Sequence, residues 1–300
     1  MPKKEYGKFE ESVKRVFVKG ESFVHDGIEY EVLIADKPRP SSGECKTDVY
    51  VKGVDSDDDF IELKISAKLE SAAFLQNKVN ADAANAIFGK NWSKIISKAA
   101  LSIRDKFENR PIVFASKSGR TMADSITLGW KLEISNEPKP RPLSSPVPLT
   151  NVEVRDLIYR GIEQDDDKRN ARVEGEVVHN SGVADYLLIA SEDDIDSPDD
   201  VLSRMEDIDT VEIPETYLIF TANNYRTRED KTDGNRPLAV YIEWGVVDSK
   251  LTPTFRYDNP LKVYGREDVK PSLADSLRTI GKMHPSDFDE GDIDKKYLHD

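Results

Sequence analysis

Cysteine is almost absent from this 300-residue chain. Cys45 is the single copy, so no internal disulfide can form, and the expected setting is a reducing cytoplasm. Histidine is also scarce. Four copies, at positions 25, 179, 284 and 299, are too scattered for a His/Cys zinc site or an HNH-type centre. No apolar run approaches the roughly 18 residues of a membrane helix. The N-terminal stretch MPKKEYGKFEESVKRVF lacks the apolar core and small-residue cleavage site of a secretion signal, so no membrane association is expected. No G-x-x-x-x-G-K-[ST] phosphate loop occurs, which argues against a role for ATP.

What is present describes a globular chain, 38% hydrophobic and 33% charged, long enough for one large domain or two moderate ones. The net charge of −14 is unevenly spread. Residues 1–142 hold 24 basic and 22 acidic groups, whereas 143–300 hold 19 and 35. Within the first part, residues 61–142 carry 14 basic against 8 acidic groups, a local excess that suits a surface facing a polyanion.

Periodicity supplies the elements. Phe9, Val13 and Val16/Phe17 recur at helical spacing, predicting a first amphipathic helix. IEYEVLIA (28–35), TDVYV (47–51) and FIELKIS (60–66) read as strands, the last two joined by the short polar turn KGVDSDDD. Small and apolar residues from Ser66 to Phe88 predict a helix that stops at Gly89, and a second helix is expected over 91–108. Strand-like runs follow at PIVFAS and SITLGWKLEIS. After NEPKPRPLSSPVP, with its five prolines, they recur at VEGEVVH, VADYLLIAS, TYLIFTANNY and RPLAVYIEWGVV. Thr150 with Glu153, and Ser197 before Pro198, supply helix starts.

The expected architecture is therefore α/β, with a central mixed β-sheet flanked by helices. Residues 1–136 form the core, 137–149 a proline-rich connection, 150–284 a β-rich part and 285–300 a loosely ordered acidic tail.

Chemistry concentrates on two strands. Residues two apart on a strand share a face, so Glu62 and Lys64 point together while Ile61, Leu63 and Ile65 point to the core. Asp48 lies on the preceding strand, and one register brings it beside Glu62. Two carboxylates and an ammonium would then converge. Hard oxygen ligands of this kind hold Mg²⁺, which polarises a phosphodiester and activates water. The ammonium orients the attacking water or offsets charge in the transition state.

The order helix–strand–Asp–strand–Glu-x-Lys–helix, carried by GECKTDVYV and IELKIS, resembles the PD-(D/E)XK nuclease superfamily. The run SSGECKTDVYV…IELKIS is especially similar to type II restriction enzymes. Thr47 stands where the name-giving proline would be, and the likeness covers roughly residues 5–116. The resemblance implies a restriction-endonuclease-like core in which Asp48 and Glu62 bind Mg²⁺ and Lys64 serves the water or phosphate. It also implies accessory roles for Gln76 and for Glu11 (or Glu10) on the first helix. The implied substrate is double-stranded DNA, cut at a short specific sequence by a homodimer. Alternatives are a structure-specific repair or recombination nuclease and a non-catalytic nucleic-acid- or protein-binding module.

Base readout needs Arg, Lys, Asn or Gln side chains at groove edges. Asn223, Asn224, Arg226, Arg228, Asn235 and Arg236 cluster between two strands and are candidates for it. Lys94, Lys98 and Arg104 are candidates for phosphate contacts. An ordinary polar hairpin and a solvated helix face account for the same residues. The acidic runs at 55–59 and 192–200 read as solvated turns, the second lacking the glycine and terminal glutamate of a calcium loop.

Overall fold

The computed structural model describes residues 5–70, 74–76, 79–138 and 143–300. It is a mixed α/β protein in two compact units, each discontinuous in sequence. The first comprises Met1–Ala73, Asn85–Lys90 and Leu149–Pro214, and the second Phe74–Ala84, Asn91–Pro148 and Glu215–Asp300. The linear division expected from the proline-rich segment is thus replaced by two units whose chain segments alternate. No helix among the described residues is long and apolar enough to cross a membrane.

The first unit begins with α1 (Glu5–Arg15), which buries Phe9 and Val13 one turn apart and ends on Lys14 and Arg15, favourable charges at a helix C-terminus. β1 (Ser22–His25) and β2 (Ile28–Asp36) form a hairpin whose two turn residues, Asp26 and Gly27, both have positive φ, as a two-residue turn of matching twist requires. β2 pairs antiparallel with β3 (Val49–Val54), and β3 with β4 (Phe60–Leu69). The sheet then turns mixed: β4 pairs in parallel with Tyr186–Ala190, which pairs antiparallel with Met205–Asp207. Val49, Val51, Leu63 and Ile65 are completely buried, and they form one core with Phe9, Val13, Phe17, Leu188 and Val201.

The helix expected from Ser66 to Phe88 is not formed as such. β4 continues to Leu69, Phe74–Gln76 is a short strand of the second unit, and helix begins only at Ala81. Alternation explains the first difference. Ala67 and Leu69 continue the core face set by Leu63 and Ile65, and Ile65–Leu69 finds a parallel partner in Tyr186–Ala190. Tertiary pairing outweighs the helix propensity of an alanine-rich stretch.

The second unit is built on the long pair Ser125–Ser135 and Tyr217–Arg226, in a nine-stranded sheet that also holds Val240–Val247 and Lys250–Arg256. Phe107 stacks edge-on against Trp130 and Phe220. Gly129 is required here: a Cβ would lie 2.4 Å from the Val240 carbonyl oxygen. The helix expected over 91–108 is broken at Ile103 into Trp92–Ser102 and Arg104–Glu108. In the proline-rich stretch, Ser144–Pro146 pairs with Tyr217–Ile219, and residues 139–142 lie outside the described set.

The acidic tail is not loose. Leu298–His299 pairs in parallel with Val113–Phe114, and Ile293 and Tyr297 are buried, because apolar residues punctuate the acidic ones. Removing residues 293–300 should therefore destabilise the second unit, read as faster amide exchange along Ser125–Ser135. In the first unit, Leu63→Ala should cost about 2–5 kcal/mol in urea unfolding.

Candidate functional site

Register decides what meets what. Val49 lies opposite Ile65 and Val51 opposite Leu63 on the core face, while Tyr50 faces Lys64 and Lys52 faces Glu62 on the other. The turn behind this register is fixed by Asp55, whose carboxylate accepts the backbone N–H of Asp57 and of Asp59, both at 2.9 Å. Asp48 directly precedes β3, and its N–H donates to the Ile65 carbonyl at 2.8 Å. That bond sets Asp48 level with Ser66.

The expected convergence of Asp48 with Glu62 and Lys64 is therefore corrected. Glu62 sits four residues further along β4, about 13 Å away at strand rise. Its carboxylate accepts from the Tyr50 hydroxyl at 2.7 Å, and burial together with that bond raises the tyrosine pKa. Lys64 forms an ion pair with Asp185 at 2.9 Å. Glu62 and Lys64 are thus each engaged by a neighbour other than Asp48.

Asp48 has acquired other neighbours. Its Oδ2 accepts from Ala67 N–H at 2.9 Å, Lys68 Nζ at 3.0 Å and Ser66 Oγ at 3.4 Å. Among the described residues no donor reaches its Oδ1. The Asp48 side chain is 12% exposed and that of Lys68 is 42% exposed, so a nearly buried carboxylate holds an ammonium that solvent can reach.

From α1, Glu10 faces the same place. Burial and, next, the charge of Asp48 raise its pKa above the ordinary 4.5, against the opposing pull of Lys37. Lys37 binds Glu10 Oε2 at 2.5 Å; burial opposes its charge, but Glu10, Asp48 and Glu44 prevail and raise its pKa. Lys46, two residues before Asp48, is driven the other way. Burial and the Lys68 ammonium lower its pKa to about 8 despite Asp48. Cys45 donates to the carbonyls of Pro38 and Thr47, and burial pushes its thiol up to about 12, which makes it a poor nucleophile.

The remaining candidates separate. Glu11 is exposed and pairs with Lys14 at 3.1 Å, so of the two acids named on α1 it is Glu10 that faces the site. The Gln76 backbone lies in a strand of the second unit rather than on a helix following β4, and its side chain falls outside the described residues. Asn223 and Asn224 are buried within the strand Tyr217–Arg226, bound to Asp233, Gly234 and Thr127, and cannot reach a base edge. Arg226 pairs with Glu229 and Asp233, Arg228 with Asp124, and Arg236 with Glu133. Asn235 is exposed. Lys94 and Lys98 are exposed on their helix, and Arg104 pairs with Glu108.

Lys68, Ser66, Lys37 and Lys46 were not foreseen as site residues. The signal for Lys68 was present: the alternation that places Lys64 on the polar face places Ser66 and Lys68 there too. No protein-family model, curated protein or solved structure matches the chain.

Two outcomes follow from this geometry. Asp48→Ala strands the buried Ala67 N–H and should cost about 1–3 kcal/mol, whereas Asp48→Asn keeps an acceptor and should cost less, compared by urea midpoints. Folding raises the Glu10 pKa, so the native state holds that proton more tightly and loses stability as pH rises from 4.5 through the raised value. In EDTA, Glu10→Gln should remove this loss. Urea midpoints of the two proteins at acid and neutral pH measure it.

Proposed function

We propose that the chain is a metal-dependent endonuclease with a restriction-endonuclease-like core in its first unit. Asp48, Glu10 and Lys68 form the reaction centre in place of the expected Asp48, Glu62 and Lys64. The observation that carries this proposal is a buried carboxylate at a strand end, bonded to a solvent-reachable lysine on the neighbouring strand and facing a second carboxylate from α1. Ser66-Ala67-Lys68 takes, relative to Asp48, the position that the resemblance assigned to an acid-x-lysine triplet.

The residues fit a hard divalent cation. Asp48 Oδ1 has no donor among the described residues, and the repulsion between Asp48 and Glu10 is what a cation would relieve. Among the described residues no three metal-ligating side chains gather, so Asp48 and Glu10 would hold Mg²⁺ with water and substrate phosphate completing its shell. Bound there, the ion would polarise the phosphodiester and supply a hydroxide-like nucleophile. Lys68, reachable and already oriented by Asp48, would direct the attacking water and offset charge on the phosphorus as it becomes five-coordinate. Double-stranded DNA is the proposed substrate, cleaved at a specific sequence by a homodimer, because one centre cuts one strand.

Incubation with Mg²⁺ and a long plasmid tests the proposal. Discrete fragments are expected. Cuts confined to branches or ends would favour a repair nuclease, and intact plasmid would favour a binding module. Asp48→Asn and Lys68→Ala should each lower the rate at least about 10²-fold, whereas Glu62→Gln and Lys64→Met should retain most of it. The reverse pattern would return the centre to Glu62 and Lys64.

A further inference from the structure

The core covers one face of the sheet formed by β1, β2, β3 and β4. Phe23, Val32, Val51 and Leu63 point into it, so the alternate residues point the other way. Register sets these outer residues in rows across the strands. Ser22, Glu31, Val54 and Phe60 form one row, with Val24 and Glu29 beside it toward the β1–β2 turn, and Ile34, Lys52 and Glu62 form the next. A third row, Asp36, Tyr50 and Lys64, is closed over. Tyr50 is 1% exposed, Asp36 accepts from the Glu174 N–H, and Lys64 pairs with Asp185. The first two rows are open.

These open rows differ from the polar surface that a solvated sheet face presents. Phe60 is 62% exposed and Val24 53%, and Val54 and Ile34 lie half-buried on the strands between them. Among the described residues of these rows Lys52 is the one cation, and its ammonium lies over the Phe60 ring at 4.6 Å. Against it stand three exposed carboxylates, Glu29, Glu31 and Glu62. Asp57, Asp58 and Asp59, exposed in the β3–β4 turn, add three more. An exposed apolar patch rimmed by charge of one sign marks an interaction face.

Charge selects the occupant. Six carboxylates repel nucleic acid and anionic lipid alike. A second copy seated by two-fold symmetry would set the same carboxylates against one another. A cationic protein surface with apolar side chains matches both features. The other face of the sheet already shows the form such a layer takes, because α1 packs Phe9 and Val13 against it. Four strands measure about 14 Å across, close to the length of about ten helical residues.

We propose that the outer face of β1 to β4 docks a lysine- or arginine-rich amphipathic helix of a partner protein. Its apolar stripe would rest on Phe60, Val54 and Val24, and its cations would meet Glu29, Glu31 and Glu62. The proposal goes beyond the endonuclease reading and does not depend on it. Phe60 opens β4 and Lys68 lies eight residues on, about 26 Å along the strand. A helix docked over Phe60 therefore leaves Lys68 and Asp48 uncovered.

Two fluorescein-labelled peptides of about 16 residues, long enough to form a helix when bound, are the probes for the full-length chain. Both carry leucine along one stripe, and the remaining positions are lysine in one and glutamate in the other. Fluorescence anisotropy should show binding of the lysine peptide, weakening with salt, and no binding of the glutamate peptide. Phe60→Ser, and separately Glu29→Gln with Glu31→Gln, should each weaken the lysine peptide at least about tenfold. Val177→Ser, at a 60% exposed position elsewhere in the unit, should leave it unchanged. All the replaced side chains are exposed, so the variants are expected to fold, which unchanged urea midpoints check. Equal binding by wild type and the face variants would mean attraction to an acidic chain at large, and would overturn the proposal. Equal binding of the two peptides, or of neither, would overturn it as well. If sedimentation finds wild type self-associated and Phe60→Ser monomeric, the occupant is a second copy and the cationic partner falls.

Discussion

The end of one β-ladder governs the first unit. Beyond Val49 the chain that forms β3 peels away toward Gly182, so β4 runs on with no strand on that side. The N–H of Ala67, a buried residue, would be left without an acceptor at a cost of about 1–3 kcal/mol. The Asp48 side chain fills that role. It extends the hydrogen-bond pattern by one more rung using a carboxylate in place of a carbonyl, and so brings a negative charge to a place where backbone would have brought only a dipole. The same bond that completes the sheet also gathers the polar cluster, because Lys68 and Ser66 lie on the strand that the carboxylate caps.

On the endonuclease reading, this arrangement would entangle stability and function at Asp48 and leave them separable elsewhere. Glu62 and Lys64 carry the more conspicuous pattern, yet each is satisfied by a neighbour, Tyr50 for one and Asp185 for the other. Satisfied groups stiffen a sheet. Among the described residues, Asp48 is satisfied on one oxygen only. On the endonuclease reading, that free oxygen at the end of the strand is what would make Asp48 a binding group and not a brace.

Much of the first unit could be read before its structure was known, and the reason lies in its binary pattern. The amphipathic spacing of Phe9 and Val13, the alternation through TDVYV and FIELKIS, and the turn between them are local signals, and all three elements formed. The place of Asp48 near a strand start was legible too. Register was not, because it depends on where the turn tightens and where the partner strand stops, and one sequence admits several alignments of alternating faces. Neither was the parallel pairing that draws Ser66–Leu69 out of a helix, since the partner lies more than a hundred residues away. The polar residues from Asn223 to Arg228 misled for a related reason. Composition marks them as a loop, but a long strand carries the asparagines into the interior, where the amides bind their own chain.

The distant partner of β4 has a consequence for the life of the polypeptide. The strand Tyr186–Ala190 sits between β4 and the edge strand Met205–Asp207, yet it is synthesised about 120 residues after β4. At ordinary elongation speeds that interval is roughly 6 to 24 seconds. Throughout it, the nascent chain carries a β4 whose inner edge is unpaired and whose apolar face is half covered, the kind of surface that recruits stray strands. Ribosome-bound chains ending before Tyr186 thus carry a strand edge still open to the wrong partner.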